Sequence, residues 1–190
     1  MLKGSSMKVN SDSEEVKEYP IKAIELIESS KSRLFNVVLV TMIKDEVSYL
    51  DEWINYYINL GVSYFVIYDN NSTDDLYAWS RKYINLGFIQ IVYWPKNNSQ
   101  LAAFTHAYEV HRHLAKYLCF FDVDEFLVLK NHDSISEFME FVQGDQVLIP
   151  WLNFGYCNHK NKPEGLVIEN YKHTSVGPTL VKQDRKSTRL

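Results

Sequence analysis

Cysteine is scarce in this chain: among 190 residues only Cys119 and Cys157 carry thiols, far apart and without metal-type spacing. That excludes a disulfide-stapled scaffold and a zinc module, and free thiols in a reducing cytoplasm are expected, although one pair could in principle bridge. No apolar run reaches the ~18 residues that a membrane span needs. A signal-peptide pattern is also missing at the amino terminus, so a cytoplasmic protein is expected, at most peripheral to a membrane. An excess of positive charge is lacking as well. With a formal net charge of −4 the chain has no electrostatic footprint for nucleic acid, which excludes duplex binding.

What the chain does have is apolar and aromatic bulk. Hydrophobic residues make up 46% and aromatics 14%, with 13 Tyr and 10 Phe, which excludes disorder and fits either an aromatic core or a ring-lined pocket. The length suits one domain. Residues 1–34 are polar and read as an extension with one loosely docked helix around Ile21, Ile24 and Ile27. From Phe35 the pattern changes. Val37 to Met42 reads as a buried strand, and Val47, Leu50, Ile54, Tyr57 and Ile58 recur at helical spacing up to Gly61. A strand over 62–68, a helix to about Asn85, a strand over 88–94, a helix over 99–115 and a strand over 117–122 follow. Ser134 and Glu137 form a capping-box pattern for a helix to Val142, and Phe126–Leu129, Gln146–Trp151 and Leu166–Ile168 read as further strands. His111 and His113 read as surface residues. The alternation predicts an α/β domain over residues 35–175, a mainly parallel sheet flanked by helices, with a polar tail over 176–190.

Such sheets bind ligands beyond the carboxyl ends of their strands. Three polar clusters fall there: Lys44-Asp45-Glu46, Asp69 to Asp75, and Asp122-Val123-Asp124-Glu125. The last is the densest signal, three carboxylates in four residues between apolar stretches, where unpaired charge is costly. Strand alternation is expected to put Asp122 and Asp124 on one side, giving two hard oxygen donors for Mg²⁺ or Mn²⁺, with water and a diphosphate completing the shell. Asp69 and its loop suit a nucleobase or ribose, as Asp45 or Glu46 would; Asp69 as an Asx turn and Ser72 or Asp74 as helix caps are the structural alternatives. Gln100, Ala102, Ala103 and His106 lie on the first turns of a helix, where a phosphate is favoured. Trp151 to His159 offers a stacking surface for a sugar ring, or a core Trp and Phe with a turn at Gly155.

In this order, Val37 to Glu46, Ile67 to Asp74, Gln100 with Ala103, Phe121 to Phe126, and Trp151 through His159 to Val167 resemble the family 2-like glycosyltransferases, near the family 92 branch. The likeness covers roughly residues 36–174. It implies the GT-A fold and inverting transfer of a hexosyl group from a nucleoside-diphosphate sugar, a UDP-sugar favoured, to a glycan hydroxyl, with Mn²⁺ or Mg²⁺ and in glycan or polysaccharide synthesis. By this resemblance Asp122 and Asp124 are the metal ligands, and Asp45, Glu46, Asp69, Asn70, Gln100 and Asp122 the donor side. Trp151, Phe154, Gly155 and His159 form the acceptor side. Glu125, His159 and Glu164 are the candidates for the base. Asn158 stands where the family usually has Gly, and the polar carboxyl end stands where it continues, as expected of a truncation or a foreign tail. The rival readings are a haloacid-dehalogenase-like phosphatase, against which Phe126 counts, and a sugar- or nucleotide-binding relic.

Overall fold

Strands form where apolar side chains run nearly unbroken, because both faces of the sheet are covered. The computed structural model describes residues 33–97, 99–174 and 188–189. β1 (Phe35–Ile43), β2 (Tyr64–Asp69), β3 (Ile89–Tyr93) and β4 (Ala115–Phe120) form one sheet in the order β3-β2-β1-β4, with every neighbouring pair parallel. The crossovers are α1 (Val47–Asn59), α2 (Leu76–Ile84) and α3 (Gln100–His111). The expected parallel sheet flanked by helices is therefore present.

The two-residue period of β1 divides the core. Val37, Leu39 and Ile43 pack with Leu50, Trp53, Ile54 and Tyr57 of α1 and with Leu76 and Tyr83 of α2, while Val38 and Val40 meet Ala103, Phe104 and Ala107 of α3. Because α3 crosses on the opposite face from α1 and α2, β4 joins β1 on its far side. The strand order thus reverses between β1 and β4, and the crevice beyond their carboxyl ends is the ligand position in such sheets. α1 closes with a Schellman motif: Gly61, at φ +88°, donates to the Ile58 carbonyl and Val62 to that of Tyr57, both at 3.0 Å.

Several expectations are corrected. Residues 126–129 are not a strand; the Leu127 N–H donates to the Tyr57 hydroxyl and its carbonyl accepts from Tyr56, so side chains of α1 satisfy groups that a neighbouring strand would otherwise take. Leu166–Ile168 is not a strand either. Glu52 accepts the Val167 and Ile168 N–H groups and so caps α5 (Val167–Asn170), one helical turn preceded in the chain by α4 (Ile135–Glu140). Ser134 caps α4 as the pattern predicts, accepting from the Glu137 N–H. Of the strand expected over 146–151 only Gln146–Val147 is a strand, β5, antiparallel to β6 (Thr188–Arg189), with Trp151 in an isolated bridge. The helix expected to reach 115 stops at His111. That histidine is buried, not on the surface, because Ala103, Ala107 and His111 form the stripe by which α3 meets the sheet. Its Nδ1–H donates to the Ala107 carbonyl and Nε2 lies 3.2 Å from the Gln90 amide, and burial lowers its pKa. Among the described residues no helix is long and apolar enough to cross a membrane. The helix around Ile21, Ile24 and Ile27, and all of the tail except residues 188–189, lie outside the described residues.

Candidate active site

The acidic motif does not continue β4. After Phe121 the chain turns: the Glu125 N–H donates to the Asp122 carbonyl at 3.0 Å, and the Glu125 Oε2 accepts the Asp122 N–H at 2.9 Å. Asp122 and Asp124 thus sit on a turn and not on one side of a strand, so the alternation argument is corrected. Both nevertheless lie close enough to Glu46 for their charges to act on it. Glu46, half-buried at the end of β1, has its pKa raised first by desolvation and then by the charges of Asp124, Asp122 and Asp74. Acids from all three clusters therefore share one rim, at the reversal point of the sheet.

α1 holds this turn from behind through aromatic side chains that carry polar atoms. Trp53 Nε1–H donates to the Asp122 carbonyl at 3.0 Å, Tyr57 O–H to the Glu125 carbonyl at 3.0 Å, and Tyr56 O–H to the Leu127 carbonyl at 2.8 Å. Trp53 and Tyr57 are wholly buried at helical spacing, and the Tyr57 ring stacks on Phe121 with centroids 5.5 Å apart. The sequence pattern places Tyr57 on the apolar face but leaves these donors unassigned. The available signal is that buried Trp and Tyr nearly always find a partner for their N–H or O–H.

Asp45 lies at φ +57° and points its Oδ1 at the next loop, accepting from the Thr73 N–H at 2.5 Å and from the Thr73 hydroxyl at 3.0 Å. Those bonds, the backbone one first, lower its pKa. Asp69 is buried; Oδ1 accepts from the Ser72 N–H and Oδ2 from the Tyr77 hydroxyl. Asn70 donates from its amide to the Trp94 and Lys96 carbonyls, both at 2.8 Å. These three residues shape the 69–75 loop, and Asp69 makes the Asx turn. Asp74 does cap a helix, but it is α1, where its Oδ2 accepts the Val47 N–H. Gln100, the first residue of α3, reaches Asp122 directly: its Nε2 donates to Oδ1 at 2.7 Å. His106 meets β2, its Nδ1 2.7 Å from the Tyr68 hydroxyl.

In the 151–159 segment, Phe154 is half exposed and bridges to Thr174, and Gly155 donates to the His173 carbonyl. Trp151 is half-buried at the start of the same segment. The turn before His159 needs two left-handed residues, Cys157 at φ +49° and Asn158 at φ +62°, so Asn158 adopts the backbone conformation for which Asn is suited. His159 Nε2 lies 3.3 Å from the Asn170 carbonyl, and its ring meets Tyr171 edge-on. Glu164 is exposed. Lys162 ties this segment to α1, donating to the Ser48 hydroxyl at 2.6 Å with its ammonium 3.6 Å from the centre of the Tyr49 ring.

Among the described residues no three His, Cys, Asp or Glu side chains are gathered so as to hold a metal by themselves. An ion that takes two carboxylates and draws its other ligands from water and a diphosphate needs no such group. Asp122 and Asp124 are hard oxygen donors on a rim whose negative charge already disfavours ionisation of Glu46. The residues fit Mg²⁺ or Mn²⁺.

Comparison with known proteins bears on the same span. The profile described as "Glycosyltransferase family 92" matches residues 39–187. A family 92 protein of Ricinus communis is 36% identical over 99 residues, 52% of this chain and 17% of the relative. One of Arabidopsis thaliana is 31% identical over 117 residues, 61% of this chain and 20% of its own length. One of Oryza sativa subsp. japonica is 28% identical over 108 residues, 56% and 18% of the two chains. The chain thus spans at most about a fifth of the length of these curated relatives.

Proposed function

Because the chain belongs to glycosyltransferase family 92, we propose that its acidic rim binds a nucleoside-diphosphate sugar, a UDP-sugar before others, and carries a hexosyl group to a glycan hydroxyl. Transfer is with inversion: the acceptor oxygen attacks the anomeric carbon as the bond to the diphosphate breaks, and the acceptor's proton passes to a base. The observation that supports this most is the shared rim of Asp122, Asp124, Glu46 and Asp74. Burial and the charges of the three aspartates hold the Glu46 pKa up, and a cation on this rim would offset that charge. Asp122 and Asp124 would hold Mn²⁺ or Mg²⁺, which when bound draws negative charge from the departing diphosphate.

The chain's own residues do the remaining work. The aromatic donors of α1 fix the turn that presents the two acids, and Asp45 and Asp69 fix the loop that faces the nucleoside. Of the base candidates, Glu125 already braces the turn through Oε2, so acting as base requires it to release the Asp122 N–H. The Nε2–H of His159 is directed at the Asn170 carbonyl, which leaves Nδ1 as its basic atom. Glu164 is exposed and carries no such constraint.

A thermal-shift titration with UDP, with and without Mn²⁺, tests the reading, because a ligand that binds only the folded chain raises its midpoint. The expected result is stabilisation by UDP that Mn²⁺ increases, an increase that disappears in the Asp122→Ala/Asp124→Ala double variant. An equal shift in the double variant would refute the assignment.

A further inference from the structure

We propose that Gln100 is a positioning residue that fixes the Asp122 carboxylate in the orientation that receives the cation; this rests on the donor-binding reading above. The sequence suggests that Gln100 touches the donor, but its amide is spent on the acid instead, with Nε2 2.7 Å from Asp122 Oδ1.

The packing explains why this contact forms. α3 is a crossover and runs back against β4, and its Phe104 ring lies 5.1 Å from that of Phe120. One helical turn toward the start of α3, about 6 Å, leads from Phe104 to Gln100. The chain turns after Phe121, and that turn brings the Asp122 carboxylate within hydrogen-bond reach of the Gln100 amide. Both supports are firm. Ala103, Phe104, Ala107 and His111 bury one side of α3, and the Ser99 hydroxyl before it donates to the Lys96 carbonyl at 2.6 Å.

Asp122 is thereby held from both layers: its carbonyl by Trp53 of α1 and its side chain by Gln100 of α3. Asp124 is exposed and has no hydrogen-bond partner among the described residues. The two acids are unequal, one fixed before any ion arrives and the other able to swing onto it. The residue type matters too. An amide N–H orients a carboxylate without cancelling its charge, which a Lys or Arg at this position would do.

The test is binding of Mn²⁺ in the presence of UDP by the full 190-residue chain, with the unbound ion read from its electron paramagnetic resonance signal. Gln100→Met preserves length and helix propensity but has no N–H to donate; Gln100→Ala is the second variant should Met disturb the fold. The expected result is Mn²⁺ affinity about tenfold weaker or more. UDP binding without metal stays equal to the parent's, and the melting midpoint stays within about 2 °C. Parental Mn²⁺ affinity in both variants, while Asp122→Ala abolishes it, would overturn the positioning role and leave the proposed function standing. An equal loss of metal-free UDP binding would also overturn it, because Gln100 would then touch the donor itself. Absence of Mn²⁺ binding by the parent would remove both conclusions.

Discussion

Removing one oxygen atom from Tyr57 should destabilise this protein severely for so small a change. The hydroxyl donates to the Glu125 carbonyl at 3.0 Å and accepts from the Leu127 N–H at 3.1 Å, so Tyr57→Phe removes a hydrogen bond from each of two backbone groups while the ring, stacked on Phe121, stays in place. Burial raises the Tyr57 pKa well above the ordinary phenol range, so the proton it donates is present at every working pH. Each lost bond costs about 1–3 kcal/mol, that of the buried Leu127 N–H toward the upper end and that of the half-buried Glu125 carbonyl toward the lower. The sum is about 2–4 kcal/mol, or roughly 5–15 °C in melting midpoint for a chain of this size. Tyr56→Phe is the control: it removes one donor, to the Leu127 carbonyl, from a half-exposed ring, and should cost about 0.5–1.5 kcal/mol. Urea melts of both variants with unchanged slopes would measure the difference. A Tyr57→Phe variant within about 0.5 kcal/mol of the parent, or less damaging than Tyr56→Phe, would refute the claim that α1 holds the acidic turn by hydrogen bonds.

Other outcomes follow from the same contacts. Asp51 Oδ1 accepts from Lys82, Trp79 and Tyr83 at 2.7, 2.9 and 2.6 Å; burial opposes ionisation, but these bonds outweigh it and lower the pKa. A lowered folded pKa stabilises above the unfolded value near 3.8 and is lost as pH falls through the folded one. The stability difference between the parent and Asp51→Asn, at most about 1 kcal/mol for so exposed a pair, should therefore hold at neutral pH and vanish in acid melts below that range. Asn158→Gly should be neutral or slightly stabilising, and Asn158→Val should cost about 1–2 kcal/mol in denaturant melts, because φ is +62° there. Cys119 is buried and its thiol pKa is pushed up to about 12, whereas Cys157 is half-buried. A disulfide reagent should modify one thiol readily in the folded protein and the second only on unfolding.

The strand and helix order of the sheet was readable because local pattern and tertiary position agree there. β1 and β2 are apolar runs, α1 has a clear stripe, and Gly61 ends it where a left-handed residue is required. Legibility failed where a distant side chain replaces a backbone partner. Nothing local shows that Tyr56 and Tyr57 will take the hydrogen bonds of Leu127, or that Glu52 will cap Val167 more than a hundred residues later. The acidic motif was found as composition, but its shape was misread for the same reason, since the Glu125 side chain and Trp53 bend the chain out of the strand direction. His111 reads as a surface residue because a polar side chain ends an apolar stripe, and the Ala107 carbonyl and the Gln90 amide that meet its ring explain its burial.

The most direct test of the central claim is anomalous scattering at the manganese edge from crystals grown with MnCl₂ and UDP. A peak roughly 2 Å from carboxylate oxygens of both Asp122 and Asp124, with diphosphate oxygens on its other side, is predicted. A bound diphosphate with no anomalous peak at those two residues, or with the metal held elsewhere, would contradict it.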